Sequence, residues 1–210
     1  MLENDFIALE TNKRYCSWFT TYGIVPHLIQ LSGSRSVLEI GVAYGYHAEI
    51  MLDNLPQILY TGVDPYLAEY DPNDIFCQDV QRMFGEGNQQ AAMDRLHAVV
   101  SHKLSKYGSR ANLLRKNSLE GALTIPNHSI DLVYIDGDHT YEGVLNDIGA
   151  WWNKVNPETG IICGDDYCWP DVKRACDDFF QSKNLEYQLI SKNGYESTPV
   201  WYYDFSQRIK

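Results

Sequence analysis

Val37-Leu38-Glu39-Ile40-Gly41-Val42-Ala43-Tyr44-Gly45 is an apolar run that ends in a turn with two glycines four residues apart, followed by residues able to start a helix. Glycine carries no Cβ and tolerates positive φ, so a strand-to-helix turn of this kind lets backbone come close to a ligand. Glycines at such a turn also serve packing alone, and the motif by itself leaves both uses open. Outward from it, short apolar runs bounded by turn residues recur at Ser36 to Ile40, Ile58 to Val63, Ala111 to Leu114, Ile130 to Ile135 and Gly160 to Cys163. These read as strands buried on both faces. Between them, Val144, Ile148, Trp151, Trp152 and Val155 keep helical spacing, as do Val172, Ala175, Cys176, Phe179 and Phe180. Strand alternating with helix predicts an α/β fold, a mostly parallel sheet with helices on both faces. Tyr187 to Ile190 and Val200 to Tyr203 add two strands joined through Asn193-Gly194, a favoured hairpin turn. The expectation is therefore a seven-stranded sheet that ends in a C-terminal antiparallel hairpin.

A chain of 210 residues can bury roughly 70% of its unfolded surface in one core. No repeat, low-complexity tract or linker interrupts it, so residues 1–210 are expected to form a single domain, with 1–34 as an N-terminal helical cover and 35–205 as the core. Tyr15, Trp18, Phe19, Tyr22 and Ile24 make the cover aromatic and suggest core packing, with a substrate lid or a homo-oligomer contact as the other uses. The first part of the long connection from Pro65 to Arg110, with Asp71-Pro72-Asn73-Asp74 and Gly85-Glu86-Gly87-Asn88, reads as loop and turn, and Gln89 to Lys106 reads as one helix. A net charge of −11 without a basic cluster disfavours nucleic acid as a partner. No uncharged run approaches the ~20 residues of a membrane helix, and Glu3, Asp5 and Glu10 interrupt any export signal near Met1. Cys16, Cys77, Cys163, Cys168 and Cys176 are odd in number and lack CxxC spacing, which fits a reducing cytoplasm.

Nineteen residues beyond Gly45 the second strand ends at Gly62-Val63-Asp64, placing a carboxylate where both hydroxyls of a ribose could donate to it. Dinucleotide enzymes use such a carboxylate with GxGxxG, which admits a pyrophosphate at a helix N-terminus. That spacing is absent here. Glu39, two residues before the first glycine, would repel pyrophosphate and suits the sulfonium or amino group of S-adenosylmethionine. At this point the chain resembles the class I methyltransferases, whose first motif is (D/E)xGxxxG and whose second ends in an acid after the next strand; Ala43 stands where that family commonly has a further glycine. The resemblance implies a Rossmann-like, doubly wound sheet and a cofactor site formed by Glu39, Gly41, Tyr44, Gly45 and Asp64, with Asn117 and Ser118 beside the adenine and Asp136 at its inner edge. Ser118 also reads as a cap for the helix that follows.

Ile130-Asp131-Leu132-Val133-Tyr134-Ile135-Asp136-Gly137-Asp138-His139 reads as a buried strand that delivers Asp136, Asp138 and His139 to its C-terminal end, where open α/β sheets bind ligands. Gly160-Ile161-Ile162-Cys163-Gly164-Asp165-Asp166-Tyr167 repeats the arrangement on a neighbouring strand. Such acids repel in a partly desolvated cleft unless a hard divalent cation neutralises them; magnesium is the first choice, and calcium or manganese satisfies the same chemistry. Asp138 is expected instead to cap the helix starting near Thr140. The strings IDGDHTYEGVLND and GDDYCWPDVKRACDDFF are similar to those of the metal-dependent O-methyltransferases, closest to the macrocin-type enzymes that modify antibiotic sugars. In that likeness Asp136, Asp165 and Asp166 bind the metal, and His139 stands where catechol-type enzymes have a lysine base.

The expected reaction is methyl transfer to a metal-bound hydroxyl of a small-molecule or sugar-containing acceptor, with His139 removing the proton. Tyr141, Tyr167 and Trp169 could wall the acceptor, although Trp169-Pro170 also reads as a helix start. Two other readings stay open: a metal-dependent phosphoester hydrolase, which leaves Glu39 and Asp64 without a role, and a non-catalytic S-adenosylmethionine-binding protein. His27, His47, His97, His102 and His128 are assigned to surface or packing.

Overall fold

Apolar strands flanked by helical segments pair in parallel because each connection carries the chain back across a face of the sheet. The computed structural model describes residues 2–14, 22–68, 75–191 and 199–209. Ser36–Ile40 (β1) lies at its centre, parallel to Leu59–Val63 (β2) on one side and Leu132–Ile135 (β4) on the other. Ala111–Leu114 (β3) extends the sheet beyond β2, and Ile161–Gly164 (β5) extends it beyond β4. Val200–Asp204 (β7) pairs antiparallel with β5, and Gln188–Ile190 (β6) closes that edge antiparallel to β7. The resulting order is β3-β2-β1-β4-β5-β7-β6, the Rossmann-like sheet expected, with its antiparallel C-terminal pair. Asn193-Gly194 itself lies outside the described residues. Between β1 and β4 the direction of winding reverses, and a crevice forms there beyond the C-terminal strand ends.

Alternate residues of the strands feed two hydrophobic layers. Val37, Tyr60 and Tyr134 face Ile24–Ser32 (α2), Tyr46–Asn54 (α3) and Gln89–Ser105 (α5), while Leu38, Ile40 and Val133 face Ser118–Thr124 (α6), Tyr141–Trp152 (α7) and Pro170–Ser182 (α8). Leu2–Lys13 adds a further N-terminal helix (α1), tied to α5 by Arg95 to Asp5. Tyr15, Trp18 and Phe19 fall outside the described residues, as does Asp71-Pro72-Asn73-Asp74. Two expectations need correction. Phe76–Phe84, read as loop, is a helix (α4) that buries Val80 and Phe84 and stops at Gly85, whose φ is 64°. The cap of α7 is Thr140, whose hydroxyl accepts from the Gly143 N–H at 3.1 Å, whereas Asp138 Oδ1 accepts from the Thr140 N–H at 2.7 Å.

α6 and α7 are joined by a buried polar contact, in which Trp151 Nε1 donates to Ser118 Oγ at 2.8 Å. Asp147 of α7 is buried there, and its acid is pushed up to about 7, chiefly by burial, with the Ser118 hydroxyl opposing and Asp138 reinforcing. The folded state therefore holds this proton more tightly than the unfolded chain does. The stability so contributed is complete below about pH 4 and is lost as pH rises towards 7. Asp147→Asn should leave stability near pH 4 unchanged and raise it above pH 7 by up to about 4 kcal/mol in urea unfolding. A difference from wild type that did not vary with pH would contradict this origin.

Candidate active site

β1 ends at Ile40, and the next residue already has a left-handed backbone, Gly41 at φ 85°. A Cβ on Gly41 would stand 1.8 Å from the backbone oxygen of Asp136, so only glycine lets this turn cross over the exit of β4. Gly45, at φ 69°, precedes α3, and a Cβ there would meet a Val100 methyl at 2.9 Å. Ala43 between them also has positive φ, 48°, the conformation for which a glycine would be chosen. Asp64, just beyond β2, explains how the turn is held. Its Oδ2 accepts from the Val42 and Ala43 N–H groups at 2.9 Å each, and its Oδ1 accepts from Tyr66 N–H at 2.7 Å. Burial raises its acid above the usual carboxylate range, and these three N–H groups pull it back. A carboxylate has about four lone-pair positions. One ribose hydroxyl fits where two were expected.

Glu39 is buried on the α3 side of β1, with Oε1 2.8 Å from His47 Nδ1 and Oε2 accepting from the Tyr60 hydroxyl. His47, assigned above to surface or packing, is buried with its ring stacked on Tyr22 and edge-on to Tyr134. Tyr44 packs in the core against Tyr46 and Phe76. Asn117 caps α6 through Oδ1, which accepts from the Glu120 N–H at 2.9 Å, and the Ser118 hydroxyl is taken by Trp151. The two glycines at close backbone approaches and the remaining acceptor position of Asp64 fit a ribose-bearing ligand.

The acidic residues gather at the adjoining ends of β4 and β5. One ligand atom from each of Asp136, His139 and Asp166 lies within 4.8 Å of the others, and His139 Nε2 is 2.8 Å from Asp166 Oδ2. Asp165, expected as the third metal carboxylate, turns elsewhere: its Oδ2 accepts from the Tyr134 hydroxyl at 3.1 Å and its Oδ1 from the Asp166 N–H at 2.9 Å. The same tyrosine hydroxyl is 3.4 Å from Asp136 Oδ2, so Tyr134 links both strand-end acids. The Asp136 carboxyl is held well above the usual range, first by burial and then by the charges of Asp165 and Asp166. A small cleft, partly open to solvent, is lined by these acids, His139 and Trp201. The donor set of carboxylates around this charge-crowded cleft fits a divalent cation. Trp169, directly before α8, lies with its ring 4.9 Å from that of His139 and 40% exposed, one wall of the site. Tyr141 points away to Asp178 at 2.9 Å, and the Tyr167 hydroxyl meets that of Tyr187 at 2.8 Å.

A parallel sheet with this winding reversal, a glycine turn beyond β1 and an acid beyond β2 form a Rossmann-like fold of the nucleotide-binding kind. The family model described as Methyltransferase domain matches residues 38–167, and the chain belongs to that family. Among solved structures, cofactor-bound Rv0187 from MTB superposes with a TM-score of 0.64 at 15% identity, covering 98% of this chain and 89% of that one. The SAH-bound Podospora anserina methyltransferase PaMTH1 gives 0.60 at 14% identity over 95% and 86% of the two chains. A Klebsiella pneumoniae protein described as a candidate O-methyltransferase gives 0.60 at 15% identity over 95% and 87%. These likenesses share the fold. In sequence, protein R132 of Acanthamoeba polyphaga mimivirus is 37% identical over 81 residues, which is 35% of this chain and 36% of that protein. Protein y4gI of Sinorhizobium fredii is 33% identical over 69 residues, a third of this chain and 8% of its own length. The match thus spans about a third of the viral relative and far less of the bacterial one. Among the described residues no helix is long and apolar enough to cross a membrane.

Proposed function

We propose that the chain moves the methyl group of S-adenosylmethionine to a hydroxyl oxygen of a small-molecule acceptor, with a divalent cation, magnesium first, at the strand-end acids. The observation that carries this reading is the contact of the two half-sites: Gly41 of the donor turn abuts the Asp136 carbonyl, and Asp136 N–H donates to Ile40 O at 2.8 Å. Donor and acceptor subsites therefore share one crevice. A cation bound there supplies Lewis acidity that lowers the pKa of the acceptor hydroxyl. Asp136 and Asp166 would hold it, while Asp165 stays on the Tyr134 hydroxyl. A hard cation favours these oxygens over an imidazole, which leaves His139 to take the hydroxyl proton. The Asp166 carboxylate orients that imidazole, and Trp169 packs on its face. As the proton leaves, the oxygen–methyl bond forms, the sulfur–methyl bond breaks and S-adenosylhomocysteine remains; alignment of the three atoms is the enzyme's main task. A panel of catechols and glycosides incubated with S-adenosylmethionine should yield S-adenosylhomocysteine that EDTA abolishes and magnesium restores. Turnover unaffected by EDTA would remove the metal from the mechanism.

A further inference from the structure

Two residues with a Cβ hold left-handed backbone beside the donor turn, Ala43 at φ 48° and Tyr66 at φ 46°. They are bonded to each other: the Tyr66 hydroxyl donates to the Ala43 carbonyl at 3.1 Å, and both N–H groups donate to the single carboxylate of Asp64. Tyr66 cannot relax, because its side chain is buried and its carbonyl accepts from Gln90 Nε2 at 3.0 Å and from Arg115 Nη2 at 3.2 Å. Strained residues persist where their surroundings over-determine them, and a strained loop already in its receiving shape binds more tightly. We propose that Tyr66 is a positioning residue for the methyl donor, acting through Ala43 to hold the Gly41–Gly45 turn in shape before the donor arrives. Alanine at 43 makes such a brace necessary; a glycine would hold φ 48° unaided. The inference rests on the donor-turn reading of the proposed function.

Calorimetric titration with S-adenosylhomocysteine tests it on wild type, Tyr66→Phe, Ala43→Gly and the double variant. Tyr66→Phe keeps the ring and removes one hydrogen bond, so affinity should fall about 3- to 10-fold. In an Ala43→Gly background, measured against Ala43→Gly itself, Tyr66→Phe should lose less than about twofold, the non-additivity of a coupled pair. Wild-type affinity in Tyr66→Phe would overturn the brace alone. An equal loss in both backgrounds would also overturn it, since Tyr66 would then act without Ala43. No binding by folded wild type would sink the donor-turn reading together with it.

Discussion

Gly41→Ala should eliminate S-adenosylhomocysteine binding and destabilise the protein by about 2–5 kcal/mol, the sum of an overpacked contact and a left-handed alanine. The new methyl would lie 1.8 Å from the Asp136 oxygen and 2.8 Å from Gly137 Cα, both backbone atoms that no rotamer change can move aside. Relief requires separating β1 from β4 at their C-terminal ends, where Asp136 N–H donates to Ile40 O at 2.8 Å. That movement would pull the Val42 and Ala43 N–H groups off Asp64 and widen the crevice from both sides. Gly85→Ala offers a control: its φ is also positive, at 64°, but nothing lies within 4 Å of its Cβ position, so only the backbone strain applies. Urea unfolding and calorimetry on the two variants measure the difference, and equal effects on donor binding would contradict the role given to Gly41.

Asp136→Asn should abolish methyl transfer while making the fold more stable. Loss of the Lewis-acid contribution that this carboxylate supports amounts to several kcal/mol of transition-state stabilisation, or about 10²–10⁴ in rate. Stability moves the other way because the Asp136 carboxyl is buried and crowded by Asp165 and Asp166, which holds its acid well above the usual range. Such a group favours the folded state only while protonated, so its contribution is lost as pH rises, and the isosteric amide escapes that loss. The amide retains an oxygen for the Tyr134 hydroxyl. A melting temperature raised by about 2–4 °C or more at pH 8, with activity gone, would match the account. Activity within tenfold of wild type would contradict it.

The sheet was legible because its strands carry short apolar runs bounded by turn residues, and the runs Ser36 to Ile40 and Ala111 to Leu114 coincide with β1 and β3 residue for residue, although β3, at the sheet edge, is only partly buried. α4 was hidden by the turn-forming residues on either side of it, although Phe76, Val80 and Phe84 stand four apart and Gly85 follows as the stop. The strand-end acids were readable for the same reason as the strands, since a buried run that stops at Asp136 or at Asp165-Asp166 marks the C-terminal edge. Glu39 paired with His47 and Tyr60, and the tyrosine bridge at Tyr134, were not readable. Their partners sit on neighbouring strands or on α3, and cross-strand register is not written in local sequence. The same limit applies to Asp165, whose turn towards Tyr134 on β4 follows from the pairing of Tyr134 with Cys163.

The central claim, that the Glu39 to Gly45 turn and Asp64 form the methyl-donor site, is tested most directly by calorimetric titration of the wild-type protein with S-adenosylhomocysteine, repeated on Asp64→Ala. One saturable site in the wild type, lost in a folded Asp64→Ala, is the predicted result. No heat from well-folded wild type, or the same affinity in Asp64→Ala, would contradict it.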